Sequence, residues 1–285
     1  MNYKDITIGI VAYKSEDVIF ECLKSIKKIN KIIIYDNSND ITLKNKVIKK
    51  YPNIRYILSK NNLGYGVANN KMLKITKTPY FFIISPDTIF SKKCIEILIN
   101  QSNKFIKNFS VISPASNEKN YGFFSKELIR KNKYKNIIKV DYVKGFAMLV
   151  NISKIKKVGM FDKNIFLYLE EIDLCRRLKA NNENIFLIKN AKIMHLAAKS
   201  SNIGLEYDKC RNWHWMWSSV YYDIKNSNYN FAFKKYFFLM LKYLIKSFLY
   251  LVILNFNKSQ IFYLRFSGIL NALKKKKSFF RPKIN

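Results

Sequence analysis

The chain has 285 residues, 49% of them hydrophobic, which is enough for one large domain or one domain with an appendage and excludes wholesale disorder. Its 52 basic and 19 acidic residues leave a formal charge of +33, which favours phosphates or anionic surfaces without choosing among nucleic acid, nucleotide and membrane. Cys22, Cys94, Cys175 and Cys210 are scattered and form no C-x-x-C pair, which argues against a zinc site or a disulfide framework and suits a reducing compartment.

The N-terminus runs straight into a strand pattern, with no signal-peptide architecture. Strands are expected at 6–13, 31–36, 54–60, 80–87 and 109–115, alternating with helices over 16–28, 41–51, 66–76 and 91–101. Continuously apolar strands separated by helices predict a doubly wound, mostly parallel α/β sheet. Ligands of such sheets bind beyond the carboxyl ends of the strands. Those ends carry Ala12-Tyr13, Asp36-Asn37, the loop "NNLGYG" at 61–66 and Ser85-Pro86-Asp87. Singly, each is an ordinary turn former; together they mark a ligand edge. The chain contains neither G-x-G-x-x-G nor G-x-x-x-x-G-K-[ST]. A bound nucleotide diphosphate would therefore need another countercharge, and a metal held by Asp87 would supply it.

Downstream, Glu170, Glu171 and Asp173 open a helix, as the helix dipole favours. At about 100° per residue, Glu170, Asp173 and Arg177 share one face, where they can pair. Glu171 falls among Leu174, Cys175 and Leu178, and a carboxylate on an apolar face is costly without a task. Such surroundings raise its pKa toward that of a general base. His195 ends the strand pattern at 184–196, on the same rim as Asp87, and is a candidate second metal ligand. His214, in an aromatic helical stretch, reads as packing or as lining of an acceptor site.

These residues resemble the inverting family-2 glycosyltransferases of GT-A fold, in particular the bacterial rhamnosyltransferase-like branch. The resemblance rests on "YDNS" (35–38), "NNLGYGVANN" (61–70), "SPDT" (85–88), "KGFAMLV" (144–150), "MFD" (160–162), "EEIDLCRR" (170–177) and "MHL" (194–196), in order, across about residues 5–225. It implies a nucleotide-sugar donor, such as dTDP-rhamnose or a UDP-sugar, held by Ala12, Tyr13, Asp36, Asn62, Gly64, Asn69, Ser85 and Gly145. Asp87 would bind Mg²⁺ or Mn²⁺ with His195 as a possible partner ligand, Glu171 would be the base, and Glu170 and Arg177 would support its helix. Ser85 stands where the family usually has Asn, and Glu171 where it usually has Asp. Asp173 therefore stays open as the base, and a catalytically inactive relative serving as an assembly or nucleotide-binding partner is the second reading. The implied organisation is a GT-A catalytic domain over 1–225, with a nucleotide-binding half (1–115) and an acceptor and base half (116–225), then a basic amphipathic tail over 226–285.

From 224 to 285 there are thirteen Lys or Arg and no acid. In the apolar stretch 234–256, Lys235, Lys242 and Lys246 fall on one stripe of a helix, and Lys274, Lys275, Lys276 and Lys277 open a basic–aromatic patch running to 283. Lys242 and Lys246 break any run of about 20 apolar residues, so the pattern predicts a helix at an anionic membrane interface rather than across it. The competing role is packing on the catalytic domain or in a homodimer. The implied protein is peripheral, on the cytoplasmic face of a bacterial inner membrane, with a lipid-linked glycan acceptor in surface polysaccharide synthesis. No basic–aromatic nucleic-acid motif is present, so nucleic acid is not an expected partner.

Overall fold

The computed structural model describes residues 1–26, 28–105, 108–117, 136–196 and 204–282. Residue 27, inside the helix expected over 16–28, and Lys283, the end of the basic–aromatic patch, lie outside the described residues. Contacts group the chain into two compact units, Met1–Asp162 with Glu171–Ser201, and Lys163–Glu170 with Asn202–Asn285.

The first unit is built on a sheet. It runs β1 (Ile6–Ala12), α1 (Glu16–Ser25), β2 (Ile32–Asp36), α2 (Ile41–Lys50), β3 (Arg55–Leu58), α3 (Tyr65–Ile75), β4 (Tyr80–Ile84), β5 (Thr88–Phe90) and α4 (Cys94–Phe105). There follow β6 (Val111–Ala115), β7 (Ile137–Lys139), β8 (Ala147–Asn151), α5 (Ile152–Lys157), α6 (Glu170–Ala180) and β9 (Ile185–His195). All seven residues of β1 are buried, as a strand flanked by neighbours on both edges and covered by helices must be. Gly9 at its centre is needed for room: a Cβ there would sit 2.0 Å from Phe81 Cζ of β4. The helices start where the dipole and caps favour them, with Glu16 and Asp17 in the first turn of α1 and the Asp40 carboxylate accepting from Leu43 N at the head of α2.

The strand order is β3-β2-β1-β4-β8-β6-β9-β5, with β7 also on β9. Ladders β1–β2, β2–β3, β1–β4 and β6–β9 are parallel, whereas β4–β8, β6–β8, β5–β9 and β7–β9 are antiparallel. The expected parallel frame is present in β3-β2-β1-β4 and in the β6–β9 pair, and antiparallel β5, β7 and β8 are added to it. Helical crossovers enforce parallel pairing through β4; β5, β7 and β8 then enter antiparallel, and apolar run length carries no sign of strand direction. The chain leaves β1 toward β2 and β3, then returns to β4 on the other side of β1. The switch point, where a ligand crevice opens, therefore lies beyond the carboxyl ends of β1 and β4.

The second unit is helical: α7 (Gly204–Asn226), α8 (Tyr229–Val252) and α9 (Phe256–Leu273). Its core gathers Trp213, Trp217, Val220, Ala232, Tyr236 and Ile269. Gly268 lets α9 lie tight on α7, since a Cβ there would fall 2.5 Å from Trp213 O. The tail expected as one amphipathic stretch is two helices, because Leu254 turns left-handed (φ +57°) and Asn255 caps a new start through Lys258 N. His214 is packing: it is fully buried, with Nε2 2.7 Å from Phe280 O. Burial pushes its imidazole down to about 3, the nearby Arg281 cation adding to the effect while the Phe280 carbonyl opposes it. A carbonyl only accepts, so Nε2 of this neutral ring carries the proton.

Candidate functional site

Register brings the predicted ligand edge together. Ala12 pairs with Asp36 across the β1–β2 ladder, and Asn37 N donates to Ala12 O at 2.8 Å. Beyond β1, Tyr13 N donates to Ser15 Oγ at 3.0 Å, while Lys14 turns left-handed (φ +47°) and its N donates to Ser38 Oγ. Asp36 is fully buried, and its carboxylate accepts from Ser38 N (2.7 Å), Ser38 Oγ (2.5 Å), Asp40 N (3.3 Å) and Tyr56 OH (2.8 Å). That carboxylate shapes the loop floor.

Asn37, by contrast, reaches across the edge. Its Nδ2 donates to Gly64 O and its Oδ1 accepts from Leu63 N, both at 3.2 Å, stapling the end of β2 to the "NNLG" loop. Within that loop Asn62 Oδ1 accepts from Gly64 N at 3.0 Å, and Gly64 itself has φ +80° at the head of α3, a conformation for which glycine is suited. Asn69 is fully buried on α3, its Nδ2 donating to Tyr65 O at 3.0 Å.

Beyond β4, Ser85 N donates to Phe146 O at 2.9 Å, tying the loop to the start of β8. The next turn presents Asp87, only 1% exposed. The antiparallel β5–β9 ladder sets Thr88 opposite His195, so Asp87 Oδ1 comes to 3.3 Å from His195 Nε2. Phe146 stacks on the imidazole with centroids 4.1 Å apart, and Asn117 Oδ1 accepts from His195 N at 2.8 Å. The two candidate metal ligands are neighbours. A carboxylate oxygen beside an imidazole nitrogen is a donor set that suits Mn²⁺ and, with more oxygen ligands, Mg²⁺. Among the described residues no group of three His, Cys, Asp or Glu could hold a metal, so the remaining ligands would be phosphate oxygens and water.

Helix α6 separates its acids. Fully buried Asp173 accepts from Arg177 Nε at 2.8 Å, and Arg177 also donates from Nη1 to Val158 O and from Nη2 to Met160 O. Asp173 thereby locks α6 to the turn at 158–160. Glu171 faces elsewhere: a Cβ on Gly145 would lie 3.6 Å from its Cβ and Cδ and from Tyr65 Cε1. Burial raises the Glu171 carboxyl, against the opposing pull of Lys144 and of the backbone N–H groups of Glu171, Gly145 and Ile172. Glu170 is buried at 5% exposure. Directly before the helix, Tyr168 (φ +70°) and Leu169 (φ +68°) are both left-handed, a state that costs non-glycine residues about 1 kcal/mol or more each.

Three residues of this edge went unassigned from sequence: Tyr65, whose hydroxyl donates to Gly145 O at 2.7 Å, Phe146 under His195, and Lys144 beside Glu171. The signal for Tyr65 was an aromatic directly after the loop glycine; Phe146 and Lys144 were hidden beside Gly145. The lysines of the tail divide. Lys235 is paired with Asp223 (2.7 Å), Lys246 lies over the Phe262 ring, and Lys242 and Lys274 to Lys277 are exposed.

The family described as Glycosyl transferase family 2 matches residues 7–154. The low-salt glycan biosynthesis hexosyltransferase Agl10 of Haloferax volcanii is 28% identical over 201 residues, which are 64% of each chain. The chain thus spans just under two thirds of that relative. Rhamnosyltransferase WbbL of Escherichia coli is 25% identical over 73% of this chain and 88% of its own. The N-acetylglucosaminyl-diphospho-decaprenol L-rhamnosyltransferase of Mycobacterium tuberculosis is 21% identical over 60% of this chain and 67% of its own. Among solved structures, the mannosyltransferase PcManGT from Pyrobaculum calidifontis, in complex with GDP-Man and Mn²⁺, superposes with a TM-score of 0.59 at 8% identity, over 96% of this chain and 88% of that one. That likeness is one of fold, the GT-A glycosyltransferase fold.

Proposed function

The chain belongs to glycosyl transferase family 2, and from that premise we propose that it is an inverting enzyme moving a hexosyl or rhamnosyl group from a nucleotide-sugar to a hydroxyl of a lipid-linked glycan. The observation that carries the reading is Asp87, a carboxylate 1% exposed at the switch point and 3.3 Å from the His195 imidazole. The loops after β1, β2 and β4 and the "NNLG" staple form the donor crevice. Asp87 and His195 would hold Mn²⁺ or Mg²⁺, and a bound divalent ion supplies charge for the departing nucleoside diphosphate.

Glu171 is the base. Asp173 is held by Arg177, whereas the Glu171 carboxyl is raised by burial beside Gly145 and so retains affinity for a proton at its task. It accepts the acceptor hydroxyl's proton as that oxygen attacks the anomeric carbon from the face opposite the nucleotide. One displacement inverts the centre. Lys144 steadies the carboxylate form, and Tyr65, through its bond to Gly145 O, positions the backbone beneath Glu171.

The decaprenol-linked substrate in the name of the Mycobacterium relative supports a lipid-linked acceptor. The thirteen basic residues of the acid-free segment 224–285 support action at an anionic membrane surface, the cytoplasmic face of a bacterial inner membrane. No helix among the described residues is long and apolar enough to cross a membrane. Thermal denaturation with nucleoside diphosphates and Mn²⁺ tests the reading: stabilisation should need both ligands and vanish in Asp87→Ala. Equal stabilisation of Asp87→Ala would overturn the assignment.

A further inference from the structure

Sugar transfer leaves unused the outward side of α8. Phe238, Leu241, Ile245, Phe248, Leu249 and Val252 are between 36% and 76% exposed there. At about 100° per residue they fall within an arc of about 100°. The opposite side of α8 is covered, with Ala232, Tyr236 and Ser247 buried inside the helical unit. Lys235, Lys242 and Lys246 fall within about 40° of one another along one border of the arc. Lys234 interrupts it near the helix start, and Leu254, 72% exposed, prolongs it into the turn before α9. The helix is 24 residues long, about 36 Å at ~1.5 Å per residue, and the exposed apolar side chains follow one another along its C-terminal two thirds as a contiguous strip of the kind that marks an interaction surface.

Charge decides what covers it. Residues 224–285 hold thirteen Lys or Arg and no acid. Two copies meeting through α8 would bring two lysine borders together with no carboxylate from either tail to receive them. An acidic phospholipid surface offers hydrocarbon for the arc and phosphate for its border. We infer that α8 lies lengthwise in the headgroup–acyl boundary of one leaflet of an acidic phospholipid bilayer, its arc embedded and Lys242 and Lys246 at the phosphates. This rests on the proposed action at a membrane and adds that attachment is apolar first: hydrocarbon burial holds the helix, and the lysines select the surface.

The two contributions separate by salt, because screening weakens charge attraction and leaves apolar burial intact. The full chain is sedimented with phosphatidylcholine vesicles, with and without phosphatidylglycerol, at low and high salt, beside Ile245→Glu/Phe248→Glu. Both substituted side chains are solvent-exposed, and unchanged tryptophan emission checks the fold. High salt should weaken pelleting only a few-fold, whereas the double variant should fail to pellet at every salt. Pelleting abolished by salt alone, or retained by the double variant, overturns the inference. So does a dimer, seen by light scattering, that the double variant converts to a monomer while vesicle binding persists. Transfer to a soluble acceptor, assayed on the same preparations, judges the catalytic reading separately: its absence with vesicle binding intact counts against the transferase assignment and leaves the membrane helix standing.

Discussion

The two units break opposite rules of burial. The sheet unit hides polar groups: Asp36, Asn37, Asn69, Asp87 and Asp173 are all 4% exposed or less. The helical unit shows apolar ones to the outside, with Phe238, Phe248, Val252, Ile253 and Leu254 each above 60%. A buried acid and an exposed aromatic both carry a cost that a partner must offset; Asp36 and Asp173 find theirs inside the unit, in Tyr56 and Arg177. On the proposed function, the partner at the strand ends of the sheet unit is small and charged, and the partner of the helical unit is broad and apolar.

The largest test of this contrast is Glu171→Gln. If Glu171 is the base, as proposed, its removal should lower kcat by about 10²–10⁴-fold while vesicle binding is unchanged. The raised carboxyl also sets the sign for stability: the charged form is disfavoured in the fold, so the wild type loses stability as pH rises through the raised pKa. The Gln variant should melt no lower than the parent at neutral pH, and a lower melting temperature there would show Glu171 to be structural.

Next come the two glycines. Gly9→Val drives a side chain into Phe81, and Gly268→Val drives one into Trp213 O, each overpacking that costs about 1–3 kcal/mol or more. All three tryptophans, Trp213, Trp215 and Trp217, sit on α7, so intrinsic fluorescence reports only the helical unit, while circular dichroism reports both. Gly268→Val should shift the fluorescence transition, and Gly9→Val the nucleotide-induced stabilisation. Identical effects of both variants on both signals would dissolve the contrast.

Smaller still is the acid response of His214. Burial depresses its folded pKa to about 3 from the ordinary 6.5 of a histidine, so protons bind the unfolded chain first as pH falls through that window. The helical unit should lose about 1.4 kcal/mol per pH unit below 6.5, roughly 2 kcal/mol by pH 5. In His214→Gln that slope in the fluorescence-monitored transition should disappear.

Much of the sheet unit was legible because its signals are local. Apolar runs bounded by turn formers gave β1 to β4, and their order gave the edge at which Asp87 stands. Helical spacing also separated Glu171 from the Asp173–Arg177 face. The antiparallel entry of β5, β7 and β8 was not legible, since β5 and β7 are three residues long and nothing in so short a run, or in the apolar β8, states its neighbour. The roles of Tyr65 and Phe146 were hidden for a related reason: each acts on a residue far along the chain, Gly145 and His195, through contacts that only the β4–β8 and β5–β9 ladders create. In the tail, the lysine spacing was visible, but the pairing of Lys235 with Asp223 depends on α7 lying alongside.

The left-handed pair Tyr168–Leu169 carries a consequence for stability. Each residue holds the chain in a state that glycine, or to a lesser degree asparagine, occupies at less cost. Those replacements would relieve the strain, and they lie two or three residues before Glu171, the proposed base. Leu169→Gly should therefore raise the melting temperature, and if the strain serves the proposed role of Glu171, the same variant should lower kcat, so measuring both separates strain kept for function from strain kept for nothing.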